Sequence, residues 1–223
     1  MSTALMLCVA VLTELLLMLC RRRKFGISYV NMLVALLMII IFGLSGAFVS
    51  HYIENGYWGI RYYGTILVVV LVLIPTSKVI RVPYNKLMDY VAPQGMLGII
   101  VMKYNCLIKG CCGGKVLGYS SEGIGITFPS QSVELITAII IFIILLVMEN
   151  SKTFNKYVFP VFMILYGSTR LIFDYLRAEQ GRVFSLGAIN ISVGCVFCLL
   201  IIMIGCINIL HRIRESKQYD ISK

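Results

Sequence analysis

Long apolar runs alternate with short polar segments along most of the chain. A helix that crosses a bilayer needs about 20 predominantly apolar residues. Seven runs approach that length, at residues 3–20, 27–50, 60–77, 90–108, 132–149, 157–176 and 185–210. The pattern predicts one all-α integral-membrane domain over residues 1–210 and a short polar tail over residues 211–223.

The first apolar run resembles a secretory signal peptide only in its length. No basic residue precedes the run, and it ends in the basic sequence Arg-Arg-Arg-Lys at residues 21–24. A cleavable signal has the opposite arrangement, with a basic start and a small-residue cleavage site. We therefore expect this run to be a retained transmembrane span whose C-terminal end lies in the cytoplasm.

The distribution of Lys and Arg predicts the orientation of the bundle, because cytoplasmic loops carry an excess of these residues. With the N-terminus outside and the C-terminus in the cytoplasm, thirteen of the 20 basic residues fall in cytoplasmic segments and five outside. Lys103 and Arg170 remain inside spans. The prediction is a seven-transmembrane-helix bundle with the N-terminus outside and the C-terminus cytoplasmic.

Composition supports a membrane protein and excludes a disordered chain, a small disulfide-rich protein and a simple soluble α/β domain. Apolar residues make up 59% of the chain and charged residues 13%, whereas soluble domains average about half and a quarter. Membrane topology explains the net charge of +10, so nucleic acid is not an expected partner. The eight cysteines follow no zinc-ligand spacing, and no metal site is predicted. The sequence shows no internal repeat, so it gives no support to a transporter built from inverted repeats.

Ionisable side chains inside the predicted spans require a reason, since each costs about 2.5–3.5 kcal/mol on insertion scales. They are Glu14, Lys103, Glu134, Arg170 and Asp174. Lys103 and Arg170 each lie six residues before the outer end of a span, which is about 9 Å of helix. Because Glu134 lies near the outer start of its own span, we expect charges from three helices to converge at one depth.

The sixth span carries four polar residues on one helical face. Tyr166, Arg170, Asp174 and Arg177 fall within about 80° of each other around the helix. Two interpretations remain open. Arg170 and Asp174 form a structural ion pair, or Arg170 joins Lys103 and Arg177 in a site for phosphate, whose oxygens suit a guanidinium fork and an ammonium charge.

Two segments outside the spans are expected at the same level. Residues 110–114 read Gly-Cys-Cys-Gly-Gly, and glycines permit close backbone approach or positive φ. Residues 128–134 read Phe-Pro-Ser-Gln-Ser-Val-Glu, which is an ordinary helix start with a capping serine and an early acid. Glu134 is therefore either part of the site or part of this helix start.

Four segments in this order carry a resemblance to a known family. They are Tyr-Tyr-Gly-Thr at residues 62–65, the Asp, Pro, Gly and Lys positions spaced over residues 89–114, Pro-Ser-Gln with Glu134 at residues 129–135, and the Tyr-Gly-Arg-Asp-Arg pattern of residues 166–177. Ser-Leu-Gly at residues 185–187 suits the start of the last span. On these motifs the chain resembles the prolipoprotein diacylglyceryl transferase family.

The resemblance implies a multi-pass transferase of the bacterial cytoplasmic membrane that uses no cofactor. Its substrates would be phosphatidylglycerol and a lipobox-type prolipoprotein or another thiol-bearing peptide. The catalytic positions would be Tyr63, Lys103, Glu134, Arg170 and Asp174. Phosphatidylglycerol would be bound by Lys103, Gly110, Gly114, Tyr166, Arg170 and Arg177.

Several positions depart from the family pattern and keep a second function open. Tyr63 and Phe128 stand where the family has histidines, and Lys103 stands where it has an essential arginine. The two histidines of the chain, His51 and His211, lie outside the motifs, so no general base is assigned. The alternative is a non-catalytic member of the family that binds anionic lipid or a membrane partner.

Overall fold

The computed structural model describes residues 3–111, 113–119, 125–177, 183–186 and 189–221. Side chains are described from residue 5 to residue 216, except residues 112, 120–124 and 178–191. Seven α-helices form a bundle: α1 Thr3–Arg21, α2 Tyr29–Asn55, α3 Tyr62–Val79, α4 Tyr84–Lys109, α5 Ser130–Asn150, α6 Val158–Leu176 and α7 Val193–Ile221. A single 3-10 turn, Asn155–Tyr157, precedes α6.

The length and hydropathy of the helices agree with an all-helical integral membrane protein. Within the described residues, five helices are long and apolar enough to cross a membrane: α2, α3, α4, α5 and the Val193–Ser216 part of α7. The first six predicted spans each overlap one helix, α1 to α6, whereas the seventh, at residues 185–210, also contains strand residues before α7. The last helix continues to Ile221, so the predicted polar tail is helical through its described part.

Two short β-hairpins correct the purely helical prediction. Strands β1 (Val116–Tyr119) and β2 (Gly125–Thr127) pair between α4 and α5. Strands β3 (Val183–Leu186) and β4 (Ile189–Ser192) pair before α7. The last helix therefore begins at Val193, not at residue 185, because a short apolar run has the same hydropathy in a strand as in a helix. The side chains of residues 185–187 lie outside the described part.

The helices alternate in direction, so their connections gather at two ends of the bundle. At one end, a buried ion pair joins Arg21 of α1 to Glu149 of α5. A second joins Arg212 of α7 to Asp89 of α4, with 2.6 Å between Nη1 and Oδ2. We call this the Arg21 end. The α2–α3, α4–α5 and α6–α7 connections meet at the opposite end.

Glycines allow close approach of neighbouring helices. A Cβ atom added to Gly64 of α3 would lie 2.2 Å from Oγ of Ser50 and 2.3 Å from the carbonyl oxygen of Gly46, both on α2. On α4, a Cβ atom at Gly98 would lie 2.2 Å from Oε1 of Glu14. Larger side chains would force the helices apart. The two glycines therefore set how closely α3 packs on α2 and α4 on α1, and so where the polar residues of α3 and α4 lie.

Candidate functional site

At the end opposite Arg21, the carboxylate of Glu134 contacts cationic side chains of α4, of α6 and of the residue after α6. Lys103 of α4 forms an ion pair and hydrogen bond with it. Arg177, which follows α6, donates two hydrogen bonds of 3.0 Å, one to each carboxylate oxygen. Arg170 of α6 lies 3.6 Å from Oε2. Glu134 is only 5% exposed, so one buried carboxylate is surrounded by three cations.

Local backbone features place these side chains. The α5 helix begins at Ser130, which puts Glu134 one turn inside the helix, beside α4. Arg177 has extended backbone and forms a bridge with Gly114. A Cβ atom at Gly114 would lie 2.2 Å from the carbonyl oxygen of Phe128. Gly114 therefore has a packing role in the backbone pairing that holds Arg177.

Asp174 holds the other side of Arg170. Its Oδ1 lies 3.6 Å from Nη2 of Arg170, one helical turn earlier. It also accepts a hydrogen bond from the hydroxyl of Ser192, and Sγ of Cys195 lies 3.5 Å from Oδ2. Arg170 and Asp174 thus form the ion pair of the first interpretation of the sixth span, and Arg170 also lies within ion-pair distance of Glu134. The second interpretation, a phosphate site, stays a prediction.

A cavity of about 600 Å³ opens beside this cluster and unites most of the predicted residues. The predicted residues that line it are Tyr63, Lys103, Gly110, Tyr166, Arg170 and Arg177. Glu134, Asp174 and Gly114 are not among its lining residues, but each contacts a cation that is. Gly110 ends α4 with φ +63°, a conformation that favours glycine, and so turns the chain back along the cavity.

A second ionic group lies across the cavity and was missed by the sequence analysis. Tyr63 donates a hydrogen bond to Glu54, and Nε of Arg61 lies 3.0 Å from Oε2 of the same carboxylate. Tyr63 is 1% exposed, and its ring stacks on Phe197 at a centroid distance of 4.9 Å. The one available signal was the position of Arg61 directly before the Tyr-Tyr-Gly-Thr motif.

Other cavity residues also escaped the sequence prediction. His51, Tyr57, Cys106 and Cys111 line the cavity, although only the two cysteines fall within a motif. The sequence could not reveal His51, because its place in the site depends on how α2 and the loop after it pack against the other helices. No group of three or more His, Cys, Asp or Glu side chains suitable for a metal occurs among the described residues.

The cavity has an electrostatic excess that favours an anion. Four cations, Arg61, Lys103, Arg170 and Arg177, face three carboxylates, Glu54, Glu134 and Asp174, which leaves one positive charge. Nη1 of Arg170 is buried and makes no hydrogen bond to any described residue. A buried donor without an acceptor costs about 1–3 kcal/mol, so Nη1 is a group whose hydrogen bond an oxygen of a ligand could accept.

Comparison with known proteins agrees with the motifs. A sequence profile of the prolipoprotein diacylglyceryl transferase family matches residues 2–211. A phosphatidylglycerol–prolipoprotein diacylglyceryl transferase of Chlorobaculum tepidum is 27% identical over 165 residues, which cover 68% of this chain and 55% of that protein. The chain thus matches little more than half of that relative's length. A protein with the same name from Dehalococcoides mccartyi strain BAV1 is 22% identical over 222 residues, or 89% and 84% of the two chains. The chain belongs to the prolipoprotein diacylglyceryl transferase family.

Proposed function

We propose that this chain is a membrane transferase that moves a diacylglyceryl group from phosphatidylglycerol to a cysteine thiol of a prolipoprotein or a related acceptor. The observation that carries the proposal is Nη1 of Arg170, a buried donor without a hydrogen bond in a cavity with excess positive charge. A phosphodiester carries one negative charge and oxygens that a guanidinium can bind. It therefore matches both features of the cavity.

The proposed reaction exchanges a C–O bond for a C–S bond. The acceptor sulfur attacks the glyceryl carbon that bears the phosphate, its proton goes to a base, and the C–O electron pair leaves with glycerol phosphate. The phosphate gains charge in the transition state. Preorganised cations near that oxygen lower the barrier, and such electrostatic stabilisation is usually the largest catalytic contribution. Arg170 and Lys103 are the cations that we assign to this role.

The carboxylates have supporting roles in this mechanism. Glu134 holds Lys103 and Arg177 beside the cavity, and Asp174 fixes Arg170 through one ion-pair contact of 3.6 Å. Neither carboxylate lines the cavity, so both act as positioning residues for the cations. Tyr63 donates its hydroxyl hydrogen to Glu54 and orients the second ionic group.

We further propose seven transmembrane spans in the bacterial cytoplasmic membrane, with the N-terminus outside and the C-terminus cytoplasmic. The support is the excess of Lys and Arg near the Arg21 end, which the positive-inside rule assigns to the cytoplasm. The cavity then lies in the outer half of the membrane. Phosphatidylglycerol of the outer leaflet could bring its phosphate to Arg170 at that depth.

The second candidate function is binding of anionic lipid without catalysis. It is favoured by one observation, the engagement of the Tyr63 hydroxyl with Glu54, which leaves no obvious proton acceptor in the family motifs. Thiol-dependent release of glycerol phosphate from labelled phosphatidylglycerol separates the two functions. A transferase releases it only with an acceptor, and a lipid-binding protein does not release it.

The proposed function is tested by expression of the chain in a bacterial strain depleted of its own prolipoprotein diacylglyceryl transferase. Mass spectrometry of a reporter lipoprotein measures the modification. We expect a diacylglyceryl group on the reporter cysteine. An unmodified reporter, with the chain shown to be inserted in the membrane, would contradict a prolipoprotein acceptor and favour lipid binding.

A further inference from the structure

His51 lies in the cavity although it belongs to no family motif. It lies near the end of α2, contacts Tyr57 and Gly59 of the following loop, and lines the same cavity as Arg170. The second histidine, His211, has a side chain that is 68% exposed on α7 near the Arg21 end. His51 is thus the histidine that a bound substrate could reach.

The surroundings of the His51 ring fix its neutral tautomer. Nδ1 lies 3.0 Å from the carbonyl oxygen of Tyr57. A carbonyl oxygen only accepts hydrogen bonds, so Nδ1 carries the hydrogen. In the neutral ring, Nε2 then has a free lone pair and can accept a proton. This arrangement, in which a hydrogen bond at one ring nitrogen prepares the other, is typical of histidines that transfer protons.

Two loop residues also hold the ring in position. The Tyr57 ring meets His51 edge-on at a centroid distance of 5.0 Å. A Cβ atom at Gly59 would lie 2.4 Å from both Cε1 and Nε2 of His51. Only glycine at position 59 therefore allows the ring to pack there. The loop fixes an orientation that an unconstrained surface histidine would not keep.

The proposed transfer needs a proton acceptor, and the other candidates are engaged. Glu134 contacts three cations, and the Tyr63 hydroxyl donates to Glu54. A thiol is a poor nucleophile until it loses its proton, and imidazole is the side chain best suited to remove that proton near neutral pH.

From this geometry we propose that His51 is the general base for the acceptor thiol. Nε2 takes the S–H proton as the sulfur attacks the glyceryl carbon, and the C–O electron pair leaves with the phosphate held by Arg170. The imidazolium then gives its proton to water or to the departing phosphate. This role rests on the proposed transferase function and assigns the base that the motifs lack.

The test uses His51→Asn in the full-length chain in proteoliposomes that contain phosphatidylglycerol. An asparagine amide nitrogen can replace Nδ1 and donate to the Tyr57 carbonyl, but it cannot act as a base. Each variant is assayed with two lipobox peptides, one with cysteine and one with selenocysteine, whose selenol is already ionised at neutral pH. His211→Asn is the matched control.

We expect His51→Asn to slow transfer to the cysteine peptide by about 100-fold or more, the usual effect of losing a general base. Transfer to the selenocysteine peptide should fall far less, and His211→Asn should match wild type with both peptides. An equal loss with both peptides would overturn the inference in favour of a structural role, and no loss would overturn it outright. Absence of transfer by the wild-type chain would instead contradict the proposed function itself.

Discussion

Nη1 of Arg170 lies 3.6 Å from Oε2 of Glu134, within ion-pair distance but without a hydrogen bond between them. The oxygens of Glu134 already accept hydrogen bonds from Lys103 and from Arg177. Glu134 therefore offsets part of the charge of Arg170 without accepting a hydrogen bond from Nη1 of Arg170. That donor remains available to an oxygen of a ligand in the cavity.

Neutralising Glu134 should destabilise the fold. Glu134→Gln keeps the size of the side chain but leaves Lys103, Arg170 and Arg177 without their shared carboxylate. Removing one partner from a buried ionic group costs about 3–5 kcal/mol. Thermal unfolding of the purified protein in detergent should show a clear fall in Tm. The control is Glu215→Gln, because that side chain is 57% exposed; an equal Tm for both variants would contradict the buried cluster.

At the Arg21 end, the pair of Arg212 and Asp89 should contribute to stability and not to transfer. Arg212→Met leaves the Asp89 carboxylate buried with one charged partner removed, and we expect a lower Tm. Adding Asp89→Asn should restore much of the loss, since the buried charge is then gone. If the double variant loses more stability than the two single variants lose together, direct pairing of Arg212 and Asp89 is contradicted.

Gly64 should be intolerant of even one methyl group. Its Cβ would meet Ser50 and Gly46 at 2.2–2.4 Å, so Gly64→Ala forces α2 and α3 apart beside Tyr63. Overpacking of this kind costs about 1–3 kcal/mol. Gly118→Ala is the matched control, because no atom lies within 4 Å of its added Cβ. The two variants should differ in Tm, and identical values would argue against close helix packing.

The proposed orientation can be tested with a membrane-impermeant maleimide on intact cells. One variant keeps only the exposed Cys111, and another carries Arg23→Cys as its only cysteine. Cys111 should be labelled in intact cells, whereas the substituted position should be labelled only after the cells are permeabilised. The reverse pattern would show that the cavity faces the cytoplasm.

The sequence predicted the helices well because their signal is local. A run of apolar residues must bury its backbone polar groups in a helix when it lies in lipid, so hydropathy alone locates the spans. The spacing within α6 also predicted that Arg170 and Arg177 share a face with Tyr166. Three of the ionisable residues expected at one depth, Lys103, Glu134 and Arg170, do lie together.

The features that sequence could not predict depend on contacts between distant segments. The pairing of Glu54 with Arg61 and Tyr63 requires the loop at residues 56–61 to fold over α2, and no periodicity encodes that approach. Residues 185–186 and 189–192, which belong to the second pair of strands, fell inside a predicted span because apolar residues suit both structures. The resemblance implied a catalytic role for Asp174, whereas it contacts Ser192 and Arg170 and does not line the cavity.

The central claim is tested most directly by mass spectrometry of a lipobox peptide after incubation with the purified chain in phosphatidylglycerol proteoliposomes. The wild-type chain should add one diacylglyceryl group to the cysteine. Arg170→Ala should lower the rate by about 100-fold or more, as expected for loss of a preorganised donor to the leaving phosphate. Arg214→Ala, which removes an exposed arginine of α7, should leave the rate unchanged. An unmodified peptide with the wild-type chain, or full modification by Arg170→Ala, would contradict the claim.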